Sequence, residues 1–128
     1  MIVAGIGCRR GATAQDVEAA LRAALAHAGV AAAALDAVAT IVGKNDEPGI
    51  TSVAKKFGVR VVALPQKELK AASDRAATHS PRVLALTGVP SVAETAALAA
   101  VGPHSRLLAT RRIVGSATCA LAASGDAP

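Results

Sequence analysis

The sequence predicts an α/β fold, a three-layer α/β/α sandwich around a mostly parallel, mixed sheet of about five strands. Over the first half of the chain, short apolar runs alternate with stretches of helical periodicity, which gives the order strand, helix, strand, helix, strand. Apolar residues make up 52% of the 128 residues, and about half of them are alanine, which favours layers that approach closely. The length suits one domain, placed at residues 1–124, with residues 125–128 as a frayed tail.

The first strand and helix are the most clearly marked elements. Residues 2–6 form an apolar run that stops at Gly7, and the sequence that follows is typical of a turn and a helix start. Thr13 is predicted to cap this helix, and Asp16 to complete a capping-box-like arrangement. Gly29 stands where a left-handed C-terminal cap is expected.

The next elements repeat the alternation. Residues 37–42 and 59–64 are predicted strands, and the apolar positions between residues 50 and 57 mark a short helix that a glycine closes. This order favours right-handed crossovers and parallel pairing. Residues 65–72 predict a short helical turn, and residues 73–79 a connecting loop.

Two helices and a hairpin complete the prediction. Ser80, followed by proline, is typical of a helix start, and Gly88 of its end. Ser91 and Glu94 form an S-x-x-E capping box that opens an alanine-rich helix. The stretches 107–110 and 117–121 read as strands joined by a basic turn at 111–116, which predicts a C-terminal β-hairpin and a mixed sheet.

Composition excludes several functional classes. With one Phe and no Tyr or Trp, the chain lacks the aromatic platforms on which single-stranded nucleic acids stack, so no nucleic-acid partner is predicted. No apolar run approaches the roughly 18 residues of a membrane span, since Asp36 interrupts the longest candidate. The amino-terminal residues lack the charge pattern of a secretory signal, so the expected location is cytoplasmic.

No metal site or cofactor is predicted. Cys8 and Cys119 lie far apart without His or Cys at metal spacing, and they suggest no disulfide framework. Cys8 follows the first strand beside arginines, which favours a lowered thiol pKa, but no base accompanies it, so a small packed residue is the favoured interpretation. Cys119, in a predicted strand, is assigned to the core.

Residues 7–11 join the carboxyl end of the first strand to the first helix, at the edge where open α/β sheets bind ligands. Gly7, Gly11, the free N–H groups and the guanidinium groups of Arg9 and Arg10 suit a carboxylate or phosphate. The alternative is that both arginines are surface charges beside a tight turn. In the stretch GIGCRRG at residues 5–11, the third glycine comes one position too late for a dinucleotide fingerprint, which argues against a nicotinamide cofactor.

A second loop, residues 44–49, also follows a strand and is expected at the same edge. It contains Lys44, Asp46, Glu47 and Gly49. Three interpretations of the two carboxylates stay open: orienting an arginine, helping to start the next helix, or acting as acid and base. Catalysis is the less favoured one, because adjacent carboxylates generally point in different directions.

Four motifs occur in order along nearly the whole chain: GIGCRRG at 5–11, T-I-x-x-K-x-D-E-P-G at 40–49, TGVPSVAETAAL at 87–98 and ATCALA at 117–122. With these motifs the chain resembles the CobE family and the C-terminal domain of CbiG, proteins of the corrin-ring pathway of cobalamin (vitamin B12) biosynthesis. The resemblance implies an α/β domain that binds a corrin or precorrin intermediate, a macrocycle edged with acetate and propionate groups. Where the family tends to carry a lysine before its last strand, this chain has Arg111 and Arg112.

The substrate-binding residues predicted from the loops and from the resemblance are Gly7, Cys8, Arg9, Arg10, Gly11, Lys44, Asp46, Glu47, Gly49, Ser91, Glu94 and Arg112. The first functional hypothesis is a non-enzymatic binder of a polycarboxylate corrin intermediate. The alternative that the resemblance implies is a hydrolase that opens the δ-lactone of a (cobalt-)precorrin-5A-type intermediate with release of acetaldehyde, with Glu47 or Asp46 as catalytic candidates. Further partner hypotheses are docking to other enzymes of the pathway and a homodimer.

Overall fold

The computed structural model describes residues 1–124, and a five-stranded sheet runs through them. Its strands are β1 (Ile2–Cys8), β2 (Ala37–Ile41), β3 (Arg60–Leu64), β4 (Ser105–Val114) and β5 (Ala117–Ser124). The helices are α1 (Ala14–Ala28), α2 (Pro48–Phe57), α3 (Gln66–Ala71), α4 (Pro81–Thr87) and α5 (Val92–Val101), with short 3-10 helices at Ala32–Ala34 and Ser73–Arg75. The frayed tail predicted for residues 125–128 lies outside the described residues.

The sheet is mixed, with spatial order β3-β2-β1-β5-β4. β1, β2 and β3 are parallel, whereas β5 pairs antiparallel with both β1 and β4. This arrangement confirms the predicted mixed sheet and the C-terminal hairpin. The parallel strands carry their carboxyl ends to one edge, and the turn between β4 and β5 lies at that same edge, because Cys8 pairs with Ala117.

Helices cover both faces of the sheet, which confirms the predicted sandwich. Successive residues of a strand point to opposite faces. Ala4 and Ile6 of β1 therefore pack in a core with α1 and α2, whereas Val3 packs in a second core with α3 and α5. Both cores are aliphatic, as expected from a composition with one aromatic residue.

Capping residues set the helix boundaries, largely as predicted. Thr13 Oγ1 accepts a hydrogen bond of 3.0 Å from Asp16 N, and Ser80 Oγ accepts one of 3.3 Å from Val83 N. Left-handed glycines end three of the helices, at Gly29, Gly58 and Gly88. The second helix begins at Pro48, two residues earlier than predicted, because proline occupies its first turn.

The two predicted capping boxes are wrong in their reciprocal half. The Asp16 carboxylate accepts hydrogen bonds from Ser116 N (2.9 Å) and Ser116 Oγ (2.8 Å), far away in sequence. These bonds lower the pKa of Asp16. At α5, Ser91 Oγ accepts from Glu94 N at 3.2 Å, but the Glu94 carboxylate binds other segments. Each carboxylate thus ties its helix to a distant part of the chain.

The C-terminal hairpin differs from its prediction in the length of its strands. The segment predicted as a basic turn, residues 111–116, is mostly strand, and only Gly115 and Ser116 separate β4 from β5. Gly115 has φ +55°, which suits such a tight turn. The predicted turn at Arg111 and Arg112 is wrong, because both are half-buried residues of β4.

None of the helices within residues 1–124 is long and apolar enough to cross a membrane alone. By length and composition, α4 and α5 pass that test only as a pair, bent by 63°. In this structure α5 is largely buried against the sheet.

The backbones of β1 and α5 come into direct contact at Gly5. A Cβ atom built on Gly5 would overlap the carbonyl oxygen of Ala93 and would lie 2.7 Å from Ala97 N. Both neighbours are backbone atoms of a helix, which cannot move aside as a flexible side chain can. Only glycine at this position allows α5 to lie at this depth.

Replacing Gly5 with alanine should therefore destabilise the fold by about 3 kcal/mol or more, or prevent folding, because the added methyl group must displace α5. Urea unfolding followed by far-UV circular dichroism measures the effect. Ala63→Ser, which also adds one atom to a strand but at an exposed site, serves as the control and should change stability by less than about 0.5 kcal/mol. Equal stability of Gly5→Ala and the unsubstituted protein would contradict the contact.

Candidate functional site

A cleft of about 640 Å³ lies where the parallel strands end, between the two predicted loops, the β4–β5 hairpin and α4. Its volume is in the range typical of small-molecule sites. The residues that line it come from five parts of the chain: Gly7, Cys8, Arg9, Arg10, Lys44, Arg82, Val83, Leu86, Thr87, Val92, Arg111, Ile113, Gly115, Ser116, Ala117 and Thr118.

The β1–α1 loop forms one wall of the cleft. β1 ends at Cys8, Arg9 N donates to Ser116 O at 3.0 Å, and Ala12 N donates to Arg9 O at 3.0 Å. These backbone bonds fix the loop while the side chains of Arg9 and Arg10 stay exposed. The predicted residues 7–10 thus line the cleft, whereas Gly11 lies in the same loop outside its lining.

The β2–α2 loop brings Lys44 to the cleft and is joined to the first loop by two contacts. Glu47 Oε1 accepts a hydrogen bond of 2.7 Å from Gly11 N. Gly49 is buried against the chain before α1, where an added Cβ would lie 2.5 Å from Ala12 O. Glu47 and Gly49 therefore hold the two loops together, which is a positional role.

Neither catalytic candidate lines the cleft. Glu47 engages the backbone of Gly11, and among residues 1–124 it forms no ion pair with an arginine. Asp46 is exposed in the loop. The geometry of Glu47 matches none of the three open interpretations: its carboxylate binds a backbone amide of the first loop instead of a guanidinium, and it makes no side-chain capping bond to α2.

Two cationic side chains of the cleft were not among the predicted residues. Arg82 comes from α4, which also supplies Val83, Leu86 and Thr87, and Arg111 comes from β4. The signal available in the sequence was the spacing of Arg82 and Leu86, four residues apart and therefore on one face of α4. Nothing in the sequence indicated that this face would border the first loop.

Arg112, the predicted binding residue in the hairpin, lies on the other face of the sheet. Its guanidinium donates to Thr110 Oγ1 at 2.7 Å and lies 3.5 Å from His27 Nδ1 on α1. Because side chains alternate along a strand, Arg111 and Ile113 face the cleft when Arg112 does not. The cleft thus receives Arg111 in place of Arg112.

Glu94 and Ser91 were also predicted to bind substrate, but the structure buries both completely beside the cleft. The Glu94 carboxylate accepts hydrogen bonds from Ala77 N (2.9 Å), Thr78 N (2.8 Å), Thr78 Oγ1 (2.7 Å) and Arg111 N (2.9 Å). Ser91 caps α5. Their polar groups are used within the protein, and Glu94 joins α5 to the segment before α4 and to β4.

A register shift in the hairpin explains how Arg111 N becomes available to Glu94. The β4–β5 pairing slips between Ala109 and Arg112, so the residues between them do not all pair with β5. Such bulges leave backbone groups free for other partners. Burial would raise the pKa of Glu94, but the hydrogen bonds from Thr78, Arg111 and Ala77 outweigh it, and the pKa lies below its usual value.

The thiol of Cys8 is not activated by its surroundings. Burial raises its pKa, and this effect exceeds the opposing influence of the Lys44 charge. The favoured interpretation of Cys8 as a packed residue agrees with this shift, although Cys8 also lines the cleft. Cys119 is buried in the sheet, and burial raises its pKa strongly, as expected of a core thiol.

All charged side chains that line the cleft in the described part of the chain are cationic. They are Arg9, Arg10, Lys44, Arg82 and Arg111, and among residues 1–124 none of them forms an ion pair. Within the same residues, no cluster of three or more His, Cys, Asp or Glu side chains could hold a metal ion. The chemistry available in the cleft is thus the binding of several anionic groups.

Comparison with known proteins relates this arrangement to cobalamin biosynthesis. Residues 2–122 match the family described as cobalamin synthesis G C-terminus. The protein CobE of a Sinorhizobium species is 38% identical over 121 residues, which cover 94% of this chain and 79% of that protein. In fold, the chain is similar to a crystal structure of CobE from the cobalamin (vitamin B12) pathway, with a TM-score of 0.88, 40% identity, and coverage of 95% of this chain and 89% of that one.

A second relative is much longer than this chain. A cobalt-precorrin-5A hydrolase of Priestia megaterium is 33% identical over 98 residues, or 77% of this chain. The matched part is 26% of that protein.

Glu94→Gln tests the carboxylate that joins three elements beside the cleft. An amide has one acceptor oxygen instead of two, so some buried donors lose their partner. The free energy of unfolding should therefore fall by about 3 kcal/mol at neutral pH. Asp74→Asn is the control, because Asp74 is exposed in the short 3-10 helix Ser73–Arg75. Urea unfolding measures both variants.

The pH dependence of the same difference follows from the lowered pKa. The folded state binds the Glu94 proton more weakly than the unfolded state, so the carboxylate stabilises the fold above its usual pKa of 4.5. That stabilisation is lost as the pH falls through the folded pKa, below 4.5. The difference in the free energy of unfolding between the unsubstituted protein and Glu94→Gln should therefore become smaller as the pH is lowered from 6. A difference independent of pH would contradict a stabilising, ionised Glu94.

Proposed function

The chain belongs to the cobalamin synthesis G C-terminal family, which confirms the resemblance in its motifs, and we propose that its cleft binds a corrin-ring intermediate through the carboxylates of that ligand. The chain is a CobE-like protein of cobalamin biosynthesis. The observation that carries the proposal is the charge of the cleft, whose lining within residues 1–124 has five cationic side chains and no acidic one.

The geometry suits a ligand with carboxylates at several edges. Arg9 and Arg10 come from the first loop, Lys44 from the second, Arg82 from α4 and Arg111 from β4, so the charges surround the cleft. Arginine pairs well with carboxylates because its planar fork donates two parallel hydrogen bonds. A macrocycle edged with acetate and propionate groups offers such partners in several directions.

The positions of the backbone and of the acidic side chains also support a binding role. Glu47 and Glu94 satisfy backbone amides next to the cleft, and within residues 1–124 the cationic groups of the cleft form no ion pair. Several like charges in one cleft repel one another, which costs free energy. An anionic ligand removes that repulsion when it binds.

Binding should weaken when the two loop arginines are removed. We expect Arg9→Ala together with Arg10→Ala to reduce affinity for hydrogenobyrinic acid, a metal-free corrin polycarboxylate, by about tenfold or more, because each lost charge pair contributes to binding. Visible absorbance of the corrin during titration with purified protein measures the affinity. Raised salt should reduce the affinity of the unsubstituted protein more than that of the double variant, since screening acts on exposed charges.

The matched control removes the same net charge at the opposite edge of the sheet. Arg60 and Arg106 are exposed near the start of β3 and β4, away from the cleft. Arg60→Ala with Arg106→Ala should leave the affinity within about twofold. Unchanged affinity in the Arg9 and Arg10 double variant, or an equal loss in both double variants, would contradict binding at this cleft.

A second candidate function is hydrolysis of a lactone on the same class of ligand, supported by the similarity to a cobalt-precorrin-5A hydrolase. It predicts acetaldehyde release from a lactone-bearing precursor, by this chain alone or with a partner chain. Glu47 lies outside the cleft lining, so Glu47→Gln, whose amide oxygen can still accept from Gly11 N, should leave the release unchanged, and a loss of release would show that its carboxylate activates water. A coupled dehydrogenase assay measures the acetaldehyde. Absence of release, both from this chain alone and with a partner chain, would contradict the hydrolase function.

A further inference from the structure

Two large apolar side chains in the cleft remain accessible to water. Leu86 of α4 is 75% exposed and Ile113 of β4 is 62% exposed, and both belong to the cleft lining. The cationic residues that carry the proposed function give no reason for apolar groups at these two positions. Apolar side chains that line a binding site commonly gain their stabilisation when a ligand covers them.

Each of these side chains lies on the same face of its element as a cationic one. On α4, Leu86 follows Arg82 by four residues, and both line the cleft, whereas Leu84, also exposed at 52%, does not. On β4, Ile113 follows Arg111 by two residues and faces the same side of the sheet. The helix and the strand thus present the same pair, an aliphatic group beside a guanidinium.

We infer that Leu86 and Ile113 form an apolar subsite that covers the face of a rigid ring while Arg82 and Arg111 hold carboxylates at the ring edge. The inference rests on the proposed function and narrows it, because these two residues make the cleft prefer a macrocyclic polycarboxylate over a small, flexible one. Leu86 and Ile113 are specificity-determining residues for ring size and rigidity.

Charge complementarity and size favour a small anionic ring over a protein surface as the occupant. The apolar pair lines an open cleft of about 640 Å³, within the range of ligand pockets. Within residues 1–124, the charged side chains that line the cleft with it are all cationic. A second copy of this chain would bring the same cationic groups to the contact, and like charges oppose such a pairing.

Aliphatic-to-polar substitutions at the subsite separate ring contact from charge contact. Leu86→Ser and Ile113→Ser should each weaken hydrogenobyrinic acid binding by about tenfold, because each ligand complex loses the burial of one side chain. The salt dependence of binding should stay as in the unsubstituted protein, because no charge is removed. Leu84→Ser changes an exposed leucine on the other side of the same helix and should leave the affinity unchanged.

Citrate serves as the small, flexible polycarboxylate. The affinity for citrate, measured by its competition with hydrogenobyrinic acid, should be the same in the unsubstituted protein and in the Leu86→Ser, Ile113→Ser double variant. In the Arg9→Ala and Arg10→Ala protein, by contrast, both ligands should bind more weakly. Selective loss of the corrin supports the subsite, since a general distortion of the cleft would weaken citrate as well.

The outcomes distinguish this inference from the proposed function. If the unsubstituted protein does not bind hydrogenobyrinic acid, the proposed function and the inference both fail. If it binds, and the two serine substitutions leave the affinity unchanged or weaken citrate equally, the inference alone is overturned. Sedimentation velocity adds a further test: a dimer that Leu86→Ser converts to monomer, with corrin affinity retained, would assign the apolar pair to self-association and overturn the subsite.

Discussion

Direct backbone contact between β1 and α5 determines how closely this helix packs on the sheet. Because Gly5 has no side chain, the helix rests on the strand at Ala93 and Ala97 instead of on a layer of larger residues. The amino-terminal end of α5 then reaches the carboxyl end of β1, where Val92 lies close to Gly7 and enters the cleft lining. The buried alanines Ala93, Ala96 and Ala97 of α5 fit the same constraint, since closely spaced layers leave little room for larger side chains.

Acidic side chains next to the cleft bind backbone amides, not basic side chains. Asp16 holds the turn between β4 and β5 through Ser116, Glu47 holds the first loop through Gly11, and Glu94 holds β4 and the segment before α4. Within residues 1–124, the ion pairs of the protein involve Glu18 on the surface instead. Three carboxylates therefore shape the cleft without neutralising it, and its positive charge remains available to a ligand.

Local signals in the sequence were sufficient for the order of elements and for the edge that carries the site. Glycine, proline and hydroxyl residues at helix ends depend on neighbours a few positions away, so Thr13, Ser80 and Gly29 could be interpreted correctly from sequence. The loops ending β1 and β2 followed from strand direction alone. Each of these features is determined within one element or by its immediate connection.

The missed features depend on contacts between distant segments. Whether Arg111 or Arg112 faces the cleft is decided by strand alternation after a register shift, and no pattern in the sequence showed that shift. The partners of Glu94 lie 16 and 17 residues away, so its sequence resembled a local capping box. The face of α4 that borders the first loop also required the tertiary arrangement, because the intervening segment has no regular repeat.

The position of β1 in the middle of the sheet has a consequence for how the chain folds. One neighbour of β1 is β2, soon after it in sequence, but the other is β5, whose Ala123 pairs with Ile2 across almost the full length of the described chain. Such distant pairing raises contact order and slows folding. During synthesis, β1 keeps one hydrogen-bonding edge open until β5 leaves the ribosome, and an open edge of that kind invites pairing with another chain. Completion of the sheet is therefore a late event, in which the last strand protects the first.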